Sequence, residues 1–324
     1  MIEVEHLYKS YDDDPAVKDL SFSIEEGHVY GFLGPNGAGK STTMNIITGC
    51  LSADSGKVTV GGNDIFEQPE KAKRMIGYLP EHPPLYPSET PEEYLRFVGE
   101  AKGLKGSELK AQVDKVIERT GTGHVRKQLI STLSKGYKQR VGIAQALLGD
   151  PKVIILDEPT VGLDPLQLVE IRQLIKDLGK EHTVLFSSHI LSEVQAICDK
   201  VMIISGGKLV AFSDTDKLGE LSKGTATINV AASATKEQLQ AVLGGFLGEN
   251  AECSYSEDEG GIRCSISLDT KDVRSFCSEL FFRLADASVP VYELSAKSAG
   301  LEDIFLELTE KGGETDDSSV QTRA

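Results

Sequence analysis

The 324-residue sequence has no uninterrupted apolar stretch near the ~18 residues of a membrane-spanning helix. The chain is therefore expected not to cross a bilayer itself, and a role at a membrane would need a partner to supply the membrane part. Acidic residues appear as early as Glu3 and Glu5, unlike the basic opening of a secretory signal peptide, so none is expected. A basic excess is missing too. The 34 Lys and Arg against 50 Asp and Glu leave a net charge of −16, which argues against nucleic acid as a partner, because a broad footprint needs clustered cations. The five cysteines (Cys50, Cys198, Cys253, Cys264, Cys277) are odd in number, widely spaced and free of any C-x-x-C pair. They read as reduced thiols of a cytoplasmic protein, with no metal site among them. There is no internal repeat and no heptad series. What is present is an ordinary 40% of apolar residues in a chain long enough for two domains.

Residues 1–216 alternate strand-like and helix-like runs. Val153–Leu156, Thr183–Phe186 and Lys200–Ile204 are short continuous apolar runs, which suit parallel strands buried on both faces. Ile2–Leu7 and Leu20–Ile24 alternate instead, as antiparallel strands with one wet face do. The expectation is an α/β core with an antiparallel flank. Residues 88–150 turn helical. Thr90-Pro-Glu-Glu93 has a capping Thr, a first-turn Pro and a Glu able to reach back, and Ser107–Lys110 opens another helix. Composition shifts near Gly219 and Gly224. Beyond it the pattern is strand (Thr225–Ala231), helix (Thr235–Phe246), two strands (Glu252–Ser256, Gly261–Leu268), helix (Asp272–Ala285) and strand (Val289–Leu294). This β-α-β-β-α-β order predicts a small ferredoxin-like α+β domain over 217–310. Leu301–Thr309 reads as a last amphipathic helix, and residues 311–324 as a disordered tail.

Residues 34–42 read Gly-Pro-Asn-Gly-Ala-Gly-Lys-Ser-Thr and fit G-x-x-x-x-G-K-[ST], the phosphate-binding loop of nucleoside triphosphatases. Gly34, Gly37 and Gly39 lack a Cβ, so the backbone can curl and aim N–H groups at phosphate oxygens. Lys40 brings a cation to the β/γ-phosphates and Ser41 offers a hydroxyl to Mg²⁺. A strand pattern at His28–Leu33 and helical spacing at Met44–Thr48 put the triphosphate at a helix N-terminus. Those flanks weigh against a mere Gly-rich turn. Val153–Thr160 is an apolar run ending in two acids. There Asp157 is placed to hold Mg²⁺ and Glu158 to orient or deprotonate a water at the γ-phosphate. His189 follows the run Thr183–Ser188 in the same manner, placed to hydrogen-bond the γ-phosphate or steer Glu158. The other histidines (His6, His28, His82, His124, His182) read as surface or structural. Ser134 caps a helix whose first N–H groups, with Gly136, suit an anion that a second chain would have to supply.

Taken together, these motifs resemble the nucleotide-binding subunit of an ATP-binding-cassette (ABC) transporter. Gly34–Thr42 matches the Walker A loop, so Pro35, Asn36, Ala38 and Thr42 join the implied ATP-binding set. Ile154–Glu158 matches the Walker B strand with its catalytic Glu158, assisted by Lys40 and the switch residue His189. Leu133–Tyr137 resembles the signature motif, with Ser134 and Gly136 as its nucleotide contacts. Gly162–Asp164 resembles the D-loop, and Tyr11 sits where the family stacks an aromatic ring on adenine. Three departures stand out: Lys135 and Tyr137 replace the usual Gly and Gln of the signature, Glu81 replaces the Q-loop Gln, and Val161-Gly162 replace small polar D-loop residues. Glu81 can still meet Mg²⁺ or its water.

The resemblance implies a P-loop NTPase core and a dimer with a second copy or a paralogous ATPase subunit. Two ATP·Mg²⁺ would lie sandwiched between the subunits, with hydrolysis powering a separate integral membrane permease. Tyr78–Glu81, Leu133–Arg140 and Leu301–Thr309 are similar to the exporter branch. The expected location is cytoplasmic, on the inner face of the cell membrane through the permease. The alternative is a soluble ABC-family ATPase acting on a non-membrane partner.

Overall fold

The computed structural model describes residues 1–12, 14–217, 225–247, 251–258, 260–269 and 273–298. The expected helix at Leu301–Thr309, the tail and the composition shift at Gly219 and Gly224 lie outside these. Two compact units divide between Thr215 and Asp216.

The first unit opens with strands β1 (Ile2–Tyr11), β2 (Asp14–Ile24) and β3 (Val29–Leu33), helix α1 (Lys40–Ile47), then β4 (Ser55–Val60), β5 (Asn63–Asp64), α2 (Pro69–Arg74) and β6 (Ile76–Leu79). It continues through α3 (Pro91–Ala101), α4 (Gly106–Arg119), α5 (Lys135–Leu147), β7 (Val153–Leu156), α6 (Pro165–Gly179), β8 (Thr183–Ser188), α7 (Leu191–Ile197), β9 (Lys200–Ser205) and β10 (Lys208–Asp214). Strands β2-β1-β4-β5 form an antiparallel sheet. A six-stranded sheet has the order β10-β9-β3-β8-β7-β6, parallel except where β10 pairs with β9. Every residue of β3, β7 and β8 is buried, because both faces of these strands are covered. Strand β1 alternates instead, with Ile2 and Val4 inside and Glu3 and Glu5 outside. One core joins the two sheets around α1, built from Val4, Leu7, Tyr30, Phe32, Met44, Ile46, Ile47, Val58, Ile155 and Met202. Full burial of a side chain such as Phe32 contributes about 1.5–3 kcal/mol.

Sequence pattern did not single out β4, β5, β6 or β10. Strand β5 has two residues, and β4 and β10 are largely half-buried or exposed, so their apolar periodicity is weak.

The start of α3 follows the expected chemistry. Thr90 Oγ1 accepts from Glu93 N (3.3 Å), while Glu93 Oε2 accepts from Thr90 N (2.9 Å) and Thr90 Oγ1 (2.7 Å). These bonds, the backbone one first, hold the Glu93 carboxyl below its usual range. Helix α4 differs. It is entered through Gly106, whose φ of 56° favours glycine, so Ser107 lies inside the first turn and no side chain caps it. At the far end of α5, Lys102 Nζ donates to the carbonyls of Gln145 (3.0 Å), Ala146 (3.4 Å) and Leu148 (2.8 Å). A cation there satisfies orphan acceptors and complements the helix dipole.

The second unit comprises β11 (Thr225–Ala232), α8 (Lys236–Gly244), β12 (Glu252–Asp258), β13 (Gly261–Asp269), α9 (Val273–Asp286) and β14 (Val291–Ser298). Its antiparallel sheet runs β12-β13-β11-β14, the ferredoxin-like arrangement expected from β-α-β-β-α-β. Ile228, Val230, Leu239, Leu243, Ile266, Leu280 and Leu284 make its core.

Candidate functional site

Strands β3, β8 and β7 are neighbours in the parallel sheet, so the segments that leave their carboxyl ends converge. Crevices at such ends are where open α/β sheets bind ligands. After β3 the chain makes the loop 34–39. Gly37 and Gly39 take φ of 81° and 96°. A Cβ on Gly39 would fall 2.4 Å from the Ala16 carbonyl oxygen, so only glycine fits there. Gly39 is also the N-cap of α1 and offers no side-chain cap. The first N–H groups of α1 are therefore available to an anion.

This loop borders a cavity of about 550 Å³ whose lining includes Asn36, Gly37, Gly39, Lys40, Ser41 and Thr42, with Glu81, Glu158 and His189 opposite. Gly34, Pro35 and Ala38 belong to the loop but are not in the lining. Lys40 Nζ donates to the carbonyls of Gly34 (2.8 Å) and Pro35 (3.2 Å) and lies 3.4 Å from Glu158 Oε1. Asp157 Oδ1 accepts from Ser187 Oγ (2.6 Å) and Ser41 Oγ (3.2 Å). Ser41 and Asp157 thus present hard oxygen atoms side by side, a donor set that fits Mg²⁺.

Glu158 stands at the centre. Its φ of 48° is left-handed, which costs a residue with a Cβ about 1–2 kcal/mol. Its N–H donates to Ser187 Oγ at 2.8 Å, which helps hold that turn. Its Oε2 is 3.0 Å from Nδ1 of His189, whose side chain is 39% exposed and so reaches the cavity. One carboxylate oxygen therefore faces the lysine and the other the histidine.

The structure does not bring every expected residue to the cavity. Ser134 caps α5, its Oγ accepting from Tyr137 N (3.4 Å) and Gln167 Nε2 (3.4 Å), but neither Ser134 nor Gly136 is in the lining. Gly136 packs on Gln167 so closely that a Cβ would lie 2.6 Å from it. Lys135 also points elsewhere. Its Nζ rests against Gly162, and Lys135, Glu81 and Glu158 share the wall of a second cavity of about 310 Å³. Tyr11 is half exposed at the end of β1, opposite Asp14, which does line the mouth. Two features escaped the sequence reading. Ser187 links Asp157 and Glu158, and a polar Ser-Ser pair ending an apolar strand was the available signal. Asp14–Ala16 border the cavity from β2, and only strand pairing puts them there.

Residues 17–161 match the family described as ABC transporter. Over 310 residues the chain is 35% identical to the linearmycin resistance ATP-binding protein LnrL of Bacillus subtilis (strain 168), covering 95% of this chain and 98% of that protein. The chain belongs to the ABC transporter family. It is an ATP-binding subunit of that family and an ATPase. The bacitracin transport ATP-binding protein BcrA of Bacillus licheniformis is 41% identical over 212 residues, covering 65% of this chain and 68% of BcrA. Among solved structures, an ATP-binding subunit of an ABC transporter superposes with a TM-score of 0.61 at 31% identity, covering 68% of this chain and 92% of that one. The ATP-binding cassette MJ0796, solved as a dimer in a post-hydrolysis state bound to ADP and Pi, gives 0.60 at 25% identity, covering 66% and 99%.

Proposed function

We propose that this ABC ATPase subunit hydrolyses ATP·Mg²⁺ in a two-subunit sandwich and drives a separate membrane permease that exports its cargo. The carrying observation is that the phosphate-loop cavity is lined without Ser134 or Gly136. The capped N-terminus of α5 is left to serve the cavity of a second subunit. In this reading Lys40 and the loop amides at Gly37 and Gly39 hold the phosphates, with Gly34, Pro35, Asn36, Ala38 and Thr42 shaping the cradle and Tyr11 beside the adenine. Ser41 and Asp157 hold Mg²⁺, with Glu81 close by. A magnesium ion bound there neutralises phosphate charge. Glu158 accepts the proton of the attacking water and His189 keeps Glu158 and that water aligned. Positioning and charge carry most of such phosphoryl transfer.

No helix among the described residues is long and apolar enough to cross a membrane, which fits a separate permease at the inner face of the cell membrane. The relatives named for linearmycin resistance and bacitracin transport favour export. Residues 217–310 serve as an accessory or dimer-contact domain.

Mixing tests the composite site. Lys40→Ala and Ser134→Arg subunits are each expected to be inactive alone. Their heterodimer pairs one intact loop with one intact signature helix, so mixing restores ATPase activity. Failure to restore it, with both variants folded and mixed dimers present, would mean that the signature helix does not act in trans.

A further inference from the structure

The structure assigns a positioning role to Glu193, a buried carboxylate that ties the segment carrying His189 to the turn that follows Glu158. Glu193 lies in the first turn of α7 and is only 1% exposed. Its Oε2 accepts from Thr160 Oγ1 (2.6 Å) and from Ser188 Oγ (2.9 Å). Thr160 is two residues beyond Glu158, and Ser188 immediately precedes His189. Both hydroxyl residues are themselves buried, at 3% and 0% exposure. On the other side, Oε1 is 3.7 Å from Nη2 of Arg172 on α6.

An acid placed only to suit the helix dipole of α7 would sit in solvent, where it costs nothing. Removing a carboxylate from water is expensive and persists only with paired charge and donated hydrogen bonds. Glu193 has both, and the donors come from two different segments, the connection after β7 and the end of β8. A carboxylate accepts only, so Thr160 and Ser188 must both direct their protons at it. Ser188 Oγ is then left to accept from Ile190 N at 3.0 Å, which fixes the turn around His189. The Ser188 carbonyl oxygen accepts from Gly34 N (3.4 Å), so the same serine also touches the start of the phosphate loop.

Glu193 is absent from the lining of the nucleotide cavity, so it acts through other groups. The left-handed Glu158 is held from one side by Ser187 Oγ and, two residues later, by the Thr160–Glu193 bond. A strained conformation endures only where its surroundings over-determine it. Glu193 thus sets the 3.0 Å approach of His189 to Glu158. The inference rests on the assignment of His189 and Glu158 as the groups that align water.

The test measures steady-state ATPase kinetics, ATP-analogue binding and melting on the full chain for Glu193→Gln, His189→Ala and the double variant. Glu193→Gln is expected to lower kcat roughly tenfold or more, the usual cost of losing an outer positioning partner, with KM for ATP changed by less than about twofold. In the His189→Ala background its further effect should be clearly smaller than in the wild type, because the route through His189 is gone and only the hold on the Glu158 turn through Thr160 remains. Losses that multiply in the double variant, or an unchanged kcat in Glu193→Gln, overturn the inference while leaving the role of His189 intact. Wild-type turnover in His189→Ala overturns the assignment of His189 and this inference with it. Should Glu193→Gln fail to fold, Ser188→Ala supplies the same cycle, because it removes one donor while Thr160 and Arg172 stay with the carboxylate.

Discussion

The Lys40 ammonium lies 3.4 Å from Glu158 Oε1, and the two side chains are 6% and 8% exposed. Each therefore offsets the other's buried charge, and truncating one strands the other. Glu158→Gln is the clean replacement, since the amide keeps the shape and Lys40 keeps its two carbonyl acceptors. Hydrolysis is expected to fall by ~10²–10⁴, the range for losing a general base. ATP should still bind, and size-exclusion chromatography should reveal a stable ATP-loaded dimer. Turnover at the wild-type rate would remove Glu158 from the role of base.

In the proposed site Lys40→Ala removes the cation assigned to the phosphates, and it leaves Glu158 without its 3.4 Å partner. Weaker ATP binding and a lower melting temperature are both expected. Unchanged affinity in a calorimetric titration would contradict the phosphate-holding role.

Glycines of the loop should not respond alike. Gly37 and Gly39 both have positive φ, but nothing lies within 4 Å of a Cβ on Gly37, whereas one on Gly39 meets a backbone oxygen at 2.4 Å. Gly37→Ala adds backbone strain of about 1–2 kcal/mol. Gly39→Ala adds that strain and also displaces either the loop or β2, so it should abolish nucleotide binding at concentrations where Gly37→Ala still binds. Equal effects of the two substitutions on ATP affinity would argue against the close approach.

At α3, Thr90→Ala removes the cap and is expected to cost about 1 kcal/mol in urea unfolding at neutral pH. The Glu93 partner adds a pH signature. Its folded pKa is lowered by the Thr90 bonds, so its contribution is complete above the unfolded glutamate value. It disappears as pH falls through the lowered folded value. The stability gap between wild type and Thr90→Ala should therefore narrow on acidification. A gap independent of pH would show that the reciprocal bond adds nothing.

Thiol chemistry should separate the cysteines. Cys50 is exposed and Cys198 buried, and burial pushes the Cys198 thiol well above its usual pKa. Less thiolate and less access both slow attack. Mass spectrometry after brief alkylation of native protein at pH 8 should find Cys50 modified and Cys198 intact. Modification of both at similar rates would mean that α7 opens readily.

Much of this molecule was readable one segment at a time. The phosphate loop, the acids after β7 and the capping box at Thr90 each combine residue types with a spacing that only one local conformation uses. The helix at Ser107 was misplaced by one residue because Gly106, not a capping side chain, governs its entry. Strands β4 and β10 were missed because they are half covered, and half-covered strands have little apolar rhythm.

Spacing along the chain was enough to place the glycine loop, the capped start of α3 and the two acids after β7, since backbone conformation and short-range hydrogen bonding decide them. It was silent on Ser187 gripping both Asp157 and Glu158, on Lys135 lying against Gly162, and on Glu193, which reads as one more helical acid. The Ser187 and Glu193 bonds join positions about 30 residues apart, and they form where the neighbouring parallel strands β7 and β8 align their carboxyl ends. Strand pairing and burial, which no local window contains, chose which polar groups had to find one another.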